Sequence, residues 1–203
     1  MNPQWAEENL QTIRTLMERS AVYRRALAPI MAFCGSVGII GGITGWQLQI
    51  HSDRGFVVFW SGVAAVALAG TFLLVRRQAL KDSEPFWSPP TKRVTQALLP
   101  PITIGAFVGI IWAYNYGSED SNLILIPVWC CAFGCAIHSA GFFMPRGMKL
   151  FGWLFIMTGC LLVISLNELV SSSPHLLMGG IFGGLHLAYG IYLYFTEKKN
   201  PVA

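Results

Sequence analysis

The chain has 203 residues, 54% of them apolar and only 12% Asp, Glu, Lys or Arg, about half the charged share of an ordinary soluble domain. That balance excludes a water-soluble globule and implies a bilayer as solvent. The net charge of +4 is gathered in short clusters beside apolar stretches, so no nucleic-acid partner is expected.

The reading in chain order begins with residues 1–25. Leu10, Ile13, Met17 and Ala21 recur at helical spacing, with Glu7, Glu8, Arg14 and Glu18 on other faces, which predicts an amphipathic leader helix. Its Trp5 and basic end suit either the membrane surface or a solvated segment that orients the chain. A polar leader ahead of the first apolar stretch also predicts that this stretch stays as an anchor and is not cleaved as a signal.

Six windows free of Asp, Glu, Lys and Arg follow, approximately Ala26 to Ser52, Gly55 to Val75, Val94 to Ser118, Ser121 to Pro145, Leu150 to Asn167 and Leu169 to Thr196. An α-helix needs about 20 residues to cross a hydrocarbon layer of about 30 Å, and the windows lack the alternation of transmembrane strands. The expected fold is all-α, a polytopic bundle of six transmembrane helices over 26–196, with the leader before it and a short tail over 197–203. Basic residues fall on alternate connections. The leader holds Arg14, Arg19, Arg24 and Arg25; the second connection holds Arg76, Arg77, Lys81, Lys92 and Arg93; Arg146 and Lys149 follow span four and Lys198 and Lys199 the last span. Arg54 alone lies on the opposite side. The positive-inside rule then predicts cytoplasmic termini, in a bacterial inner membrane for so compact a chain.

The second connection carries Glu84-Pro85-Phe86-Trp87-Ser88-Pro89-Pro90. Prolines stop helix propagation there and paired aromatics seek an apolar or interfacial surface, so the loop is expected to fold back against the membrane. Phe86, Trp87, Pro89 and Pro90 form either an interfacial anchor or a docking loop for a cytoplasmic partner. Leu99-Pro100-Pro101 predicts a kink or a helix start in span three, and Pro127 is expected as an N-terminal helix residue of span four.

Glycines are dense: Gly35, Gly38, Gly41, Gly42 and Gly45 in the first span, Gly105 and Gly109 in the third, Gly179, Gly180, Gly183 and Gly184 in the sixth. Lipid tails are as apolar as Leu, so helices in a bilayer associate by close approach, which glycine permits. The pairs Gly38–Gly42, Gly105–Gly109, Gly179–Gly183 and Gly180–Gly184 are expected to pack helices within the bundle or in an oligomer.

Ionisable groups inside a membrane are costly and therefore informative. His138 and His186 qualify, and both are expected to point into the bundle. Three readings compete: neutral imidazoles bonded between helices, a bis-histidine haem site, or a metal site in which Cys131 and Cys135 join His138, with Cys160 nearby. About four residues of depth offset, or 6 Å, disfavours the haem arrangement. No C-x-x-C is present among the five cysteines, and no cofactor is favoured. Asp53, Glu119, Asp120, Glu168 and His175 are read as hydrated residues of the outer side. There is no nucleophile elbow, H-E-x-x-H or phosphate loop.

The function these features suggest is a non-enzymatic membrane scaffold or regulatory subunit, partnered by the lipid bilayer and by a second copy or a membrane complex. A small transporter with a polar site near His138 and His186 is the alternative, and a haem- or metal-binding redox subunit the third.

Overall fold

The computed structural model describes residues 27–81, 83, 85–115, 122–144, 147–166 and 173–198. The expected leader and the tail beyond residue 198 lie outside the described residues, as do Glu119, Asp120 and Glu168. Among the described residues there are helices and no strands, and six helices are long and apolar enough to cross a membrane. They are α1 (Leu27–Gln47), α2 (Asp53–Lys81), α3 (Pro89–Asn115), α4 (Asn122–Ala140), α5 (Gly147–Ile164) and α6. The last begins as Pro174–Met178, widens into a π turn over Gly179–Gly183 and resumes as Gly184–Lys198.

Local chemistry fixes the ends. Ser52 caps α2: its hydroxyl accepts the Gly55 N–H at 3.2 Å and its carbonyl the Phe56 N–H at 2.9 Å, leaving Asp53 in the first turn, where an anion suits the helix dipole. Ser88 does the same for α3, its carbonyl accepting the Lys92 N–H and its hydroxyl 3.0 Å from that of Thr91, while Pro89 and Pro90 occupy the turn that lacks N–H partners anyway. Helix α3 therefore starts at Pro89 and runs through Pro100 and Pro101. Prolines there leave the carbonyls of Gln96 and Ala97 without their intrahelical donors. Such breaks are tolerated in spans where hydroxyls and neighbouring helices supply bonds, and the Thr103 hydroxyl donates to the Leu99 carbonyl at 2.8 Å in the same turn. Pro127 lies inside α4, which begins at Asn122.

Two seams hold the bundle. In the first, α1 and α6 run antiparallel with backbone against backbone. A Cβ at Gly38 would lie 2.8 Å from Gly183 Cα, one at Gly42 2.8 Å from Gly179 Cα, and one at Gly190 2.8 Å from Ala32 N. In the second, α4 and α5 meet: a Cβ at Gly134 would lie 2.8 Å from the Gly152 carbonyl, one at Gly152 2.5 Å from His138 N, and one at Gly159 2.9 Å from the Pro127 carbonyl. Helix α2 packs on the other side of α1, where Gly41 meets Val63 and Trp60, Gly70 meets Phe33, and Cys34 bonds Thr71. Trp129 joins α3 to α4 by lying over Gly105 and Gly109, its indole N–H donating to the Gly105 carbonyl at 3.0 Å.

The fully buried side chains, among them Phe56, Leu125, Ile126, Cys130, Met148 and Phe155, sit between α2, α4, α5 and α6. Half of the α4 window is buried but only 11% of that of α2. The outward faces carry Ile40, Val66, Leu68, Leu73, Ile104, Phe107, Leu150 and Ile164 in the open. An apolar surface of that extent on a soluble monomer would drive association; on six spans it is what lipid tails cover.

Candidate functional site

The best-defined polar cluster lies at the end of the bundle where α1 passes into α2 and α6 begins. Pro174 sets the first turn of α6, and His175 follows it, 3% exposed. Trp60 Nε1–H of α2 donates to His175 Nδ1 at 3.2 Å, and His175 Nε2 lies 3.0 Å from the Ile50 carbonyl. One nitrogen accepts and the other donates, which assigns the neutral Nε2–H tautomer. Phe56 and Phe59 flank the ring at 5.0 and 5.4 Å between centroids. Gly45 of α1 makes the room, since a Cβ there would strike the imidazole. Gln49, in the left-handed region at φ 49°, reverses the chain immediately before Ile50, so the carbonyl that His175 reaches is delivered by a strained turn. Asp53, 5% exposed, begins α2 nearby.

Sequence reading places Asp53 and His175 among hydrated outer residues, and both are buried. Pro-His at the start of a span resembles a loop in composition. Nothing local marks His175 as the partner of an indole 115 residues away.

His186 lies deeper, 7% exposed, with Phe133 of α4 and Phe151 and Phe155 of α5 at 5.2 to 5.4 Å. Its Nδ1–H donates to the Phe182 carbonyl, inside the π turn, at 2.6 Å. The bond is therefore within its own helix, at the segment where α-helical bonding is widened. His138 occupies a different place. Its Nδ1 is 3.4 Å from the Lys149 carbonyl and its ring packs edge-on to Phe142 and Trp153, both exposed on the outside of the bundle. The two histidines share no ring neighbour, and phenylalanine rings surround His186.

Of the proposed thiol ligands, Cys131 points toward the Ile156 carbonyl at 3.9 Å, while Cys135 and Cys160 are exposed. No group of three or more His, Cys, Asp or Glu among the described residues is arranged to hold a metal.

The glycines divide. Gly38, Gly42, Gly179 and Gly183 lie in the α1–α6 seam and Gly105 and Gly109 under Trp129, whereas a Cβ at Gly180 or Gly184 would meet no neighbouring atom within 4 Å. With Ala188, they form a small-residue face on α6, exposed at Gly180 and Ala188 and half-buried at Gly184. In the α2–α3 loop, Phe86 packs on Phe72 of α2 at 4.9 Å and stacks on Trp87 at 6.2 Å.

The geometry thus defines, among the described residues, an all-helical fold with six membrane-length helices. Comparison with protein-family models, with curated proteins and with solved structures found no match.

Proposed function

We propose that this chain is a non-enzymatic membrane subunit that scaffolds or regulates a partner through helix packing. The observation that carries the reading is the division of the α6 glycines. Gly179 and Gly183 are closed against α1, while Gly180 and Gly184, one residue on, present an unfilled face of the kind that lets a second membrane helix approach backbone to backbone. The interior supports it as well. A transporter needs a polar path between its histidines, and His186 is instead enclosed by phenylalanine rings. The charge distribution supports a cytoplasmic position for both termini and the Phe86-Trp87 loop, and so compact a six-span chain suits a bacterial inner membrane.

The test is purification of the full chain from its native membrane in mild detergent, with masses read by native mass spectrometry. A reproducible complex, with a second copy or another membrane protein, that dissociates on Gly180→Leu plus Gly184→Leu is expected. A monodisperse monomer in several detergents and in nanodiscs, or a complex indifferent to those substitutions, overturns the reading.

A further inference from the structure

The cations at the ends of α2 and α3 have no role in the packing just described. Arg76, Arg77 and Lys81 on α2 and Lys92 and Arg93 on α3 are all exposed, with only Asp82 and Glu84 as acidic residues between them in the sequence. Between the two groups the loop turns its aromatics back toward the bilayer. The Phe86 ring rests against Phe72, which is four residues, about 6 Å, nearer the middle of α2 than Arg76. Trp87 stacks on Phe86 at an interplanar angle of 20° and remains 54% exposed. Thus an aromatic wedge sits at the depth where acyl chains begin, and five cations, against the two carboxylates Asp82 and Glu84 in the intervening sequence, flank it at the depth of the headgroups with a net positive charge.

We propose that the α2–α3 loop and its flanking helix ends form a docking surface for anionic phospholipid, with Arg76, Arg77, Lys81, Lys92 and Arg93 facing the headgroup phosphates and Phe86 and Trp87 inserted among the chains. Charge complementarity selects an anionic over a zwitterionic lipid, since exposed Lys and Arg at a membrane surface are drawn to negative headgroups over a Debye length. Depth selects a lipid over a soluble acidic protein: a partner in water meets the cations but does not reach the ring of Phe86 against Phe72. Indole is the side chain that best spans this boundary, apolar in its body and a donor at its edge. The surface rests on the six spans alone and is independent of the scaffold reading, so failure to find a protein partner leaves it standing.

The test uses the full chain in a neutral detergent, titrated with phosphatidylglycerol, with phosphatidylcholine, or with glycerol 3-phosphate as the headgroup without its tails. The readouts are the thermal unfolding midpoint and lipid retention by native mass spectrometry. Phosphatidylglycerol is expected to raise the midpoint by about 3 °C or more, as a ligand bound only by the folded state does. Salt at about 0.5 M should remove most of that rise, and the other two additives should give none. Lys92→Gln with Arg93→Gln, and separately Phe86→Ala with Trp87→Ala, should each cut the response at least by half. The salt arm needs no variant and so decides the matter even if a substituted chain does not fold. Equal shifts with both lipids, or a full response in either double variant, overturn the proposal. A shift with glycerol 3-phosphate equal to that with phosphatidylglycerol assigns the cations to a soluble anion and overturns it too.

Discussion

The α1–α6 seam and the α2–α3 hairpin are made of equally apolar helices, yet they are held in opposite ways. Along α1 and α6 the contacts are backbone to backbone, with Gly38 on Gly183 and Gly42 on Gly179. Along α2 the buried residues stop at Trp60, and the remaining two thirds of the helix is half-buried or exposed, touching α1 through Val63, Gly70 and Thr71; α3 is attached chiefly where Trp129 covers Gly105 and Gly109. In water both would be judged by buried apolar area. In a bilayer, area carries little weight because lipid covers it equally well, and what separates the regions is how closely atoms approach and how many buried polar groups find partners.

The comparison breaks first, if it breaks, at Gly183. A Cβ there would sit 2.5 Å from Ile39 N and 2.9 Å from the Gly35 carbonyl, and backbone atoms have nowhere to move. Gly183→Leu should therefore cost about 3 kcal/mol or more, seen as loss of the monodisperse species in mild detergent. Gly180→Leu, one position away in open space, should change unfolding by no more than about 0.5 kcal/mol. Equal damage from both would mean that the two faces of α6 are not distinct.

His175→Ala ranks next. It leaves the Trp60 N–H buried without its partner, at about 1–3 kcal/mol, and takes a donor from the half-buried Ile50 carbonyl as well. A double-mutant cycle with Trp60→Phe isolates the hydrogen bond; a coupling indistinguishable from zero would show that the ring matters only as filler. On the looser side, Trp129→Phe keeps most of the ring but loses the bond to the Gly105 carbonyl, for about 1 kcal/mol, and proteolysis or hydrogen exchange should report the opening at α3 rather than across the bundle. The smallest effect is expected at Gln49, where glycine relieves the left-handed backbone and should raise stability by about 0.5 kcal/mol; a loss would mean that the Gln49 side chain itself holds the turn.

How much of this is legible in the sequence depends on the range of the interaction. Spans are visible because hydropathy and length are local sums, and each of the six windows overlaps a helix of membrane length. Helix starts are less visible: Pro100-Pro101 reads as an interruption, but the Ser88 cap and the Pro89-Pro90 start lie eleven residues earlier, and α3 continues through. Glycine spacing marks α6 as a packing helix without revealing which of two overlapping pairs turns inward, because faces one residue apart differ by about 100°. The His175 cluster was hidden altogether. Its partners come from a turn carbonyl and an indole on other helices, and neither composition nor period encodes that meeting. His138 and His186 look equivalent as intramembrane imidazoles, yet one braces the inner side of α6 and the other lies against Trp153 at the rim.

The π turn at Gly179–Gly183 sets the phase of everything that follows it. Residues four apart on an α-helix drift by about 40°, and the wider turn takes up that drift over one step, so that Gly179 and Gly183 both face α1. Downstream, His186 then meets the phenylalanines and Gly190 meets Ala32. Deleting one residue beyond the π turn, between Gly184 and His186, would shorten the helix by only about 1.5 Å but rotate all that lies further on by about 100°, taking the imidazole off the phenylalanines and Gly190 off Ala32. For this chain, insertions and deletions within α6 are errors of angle before they are errors of length.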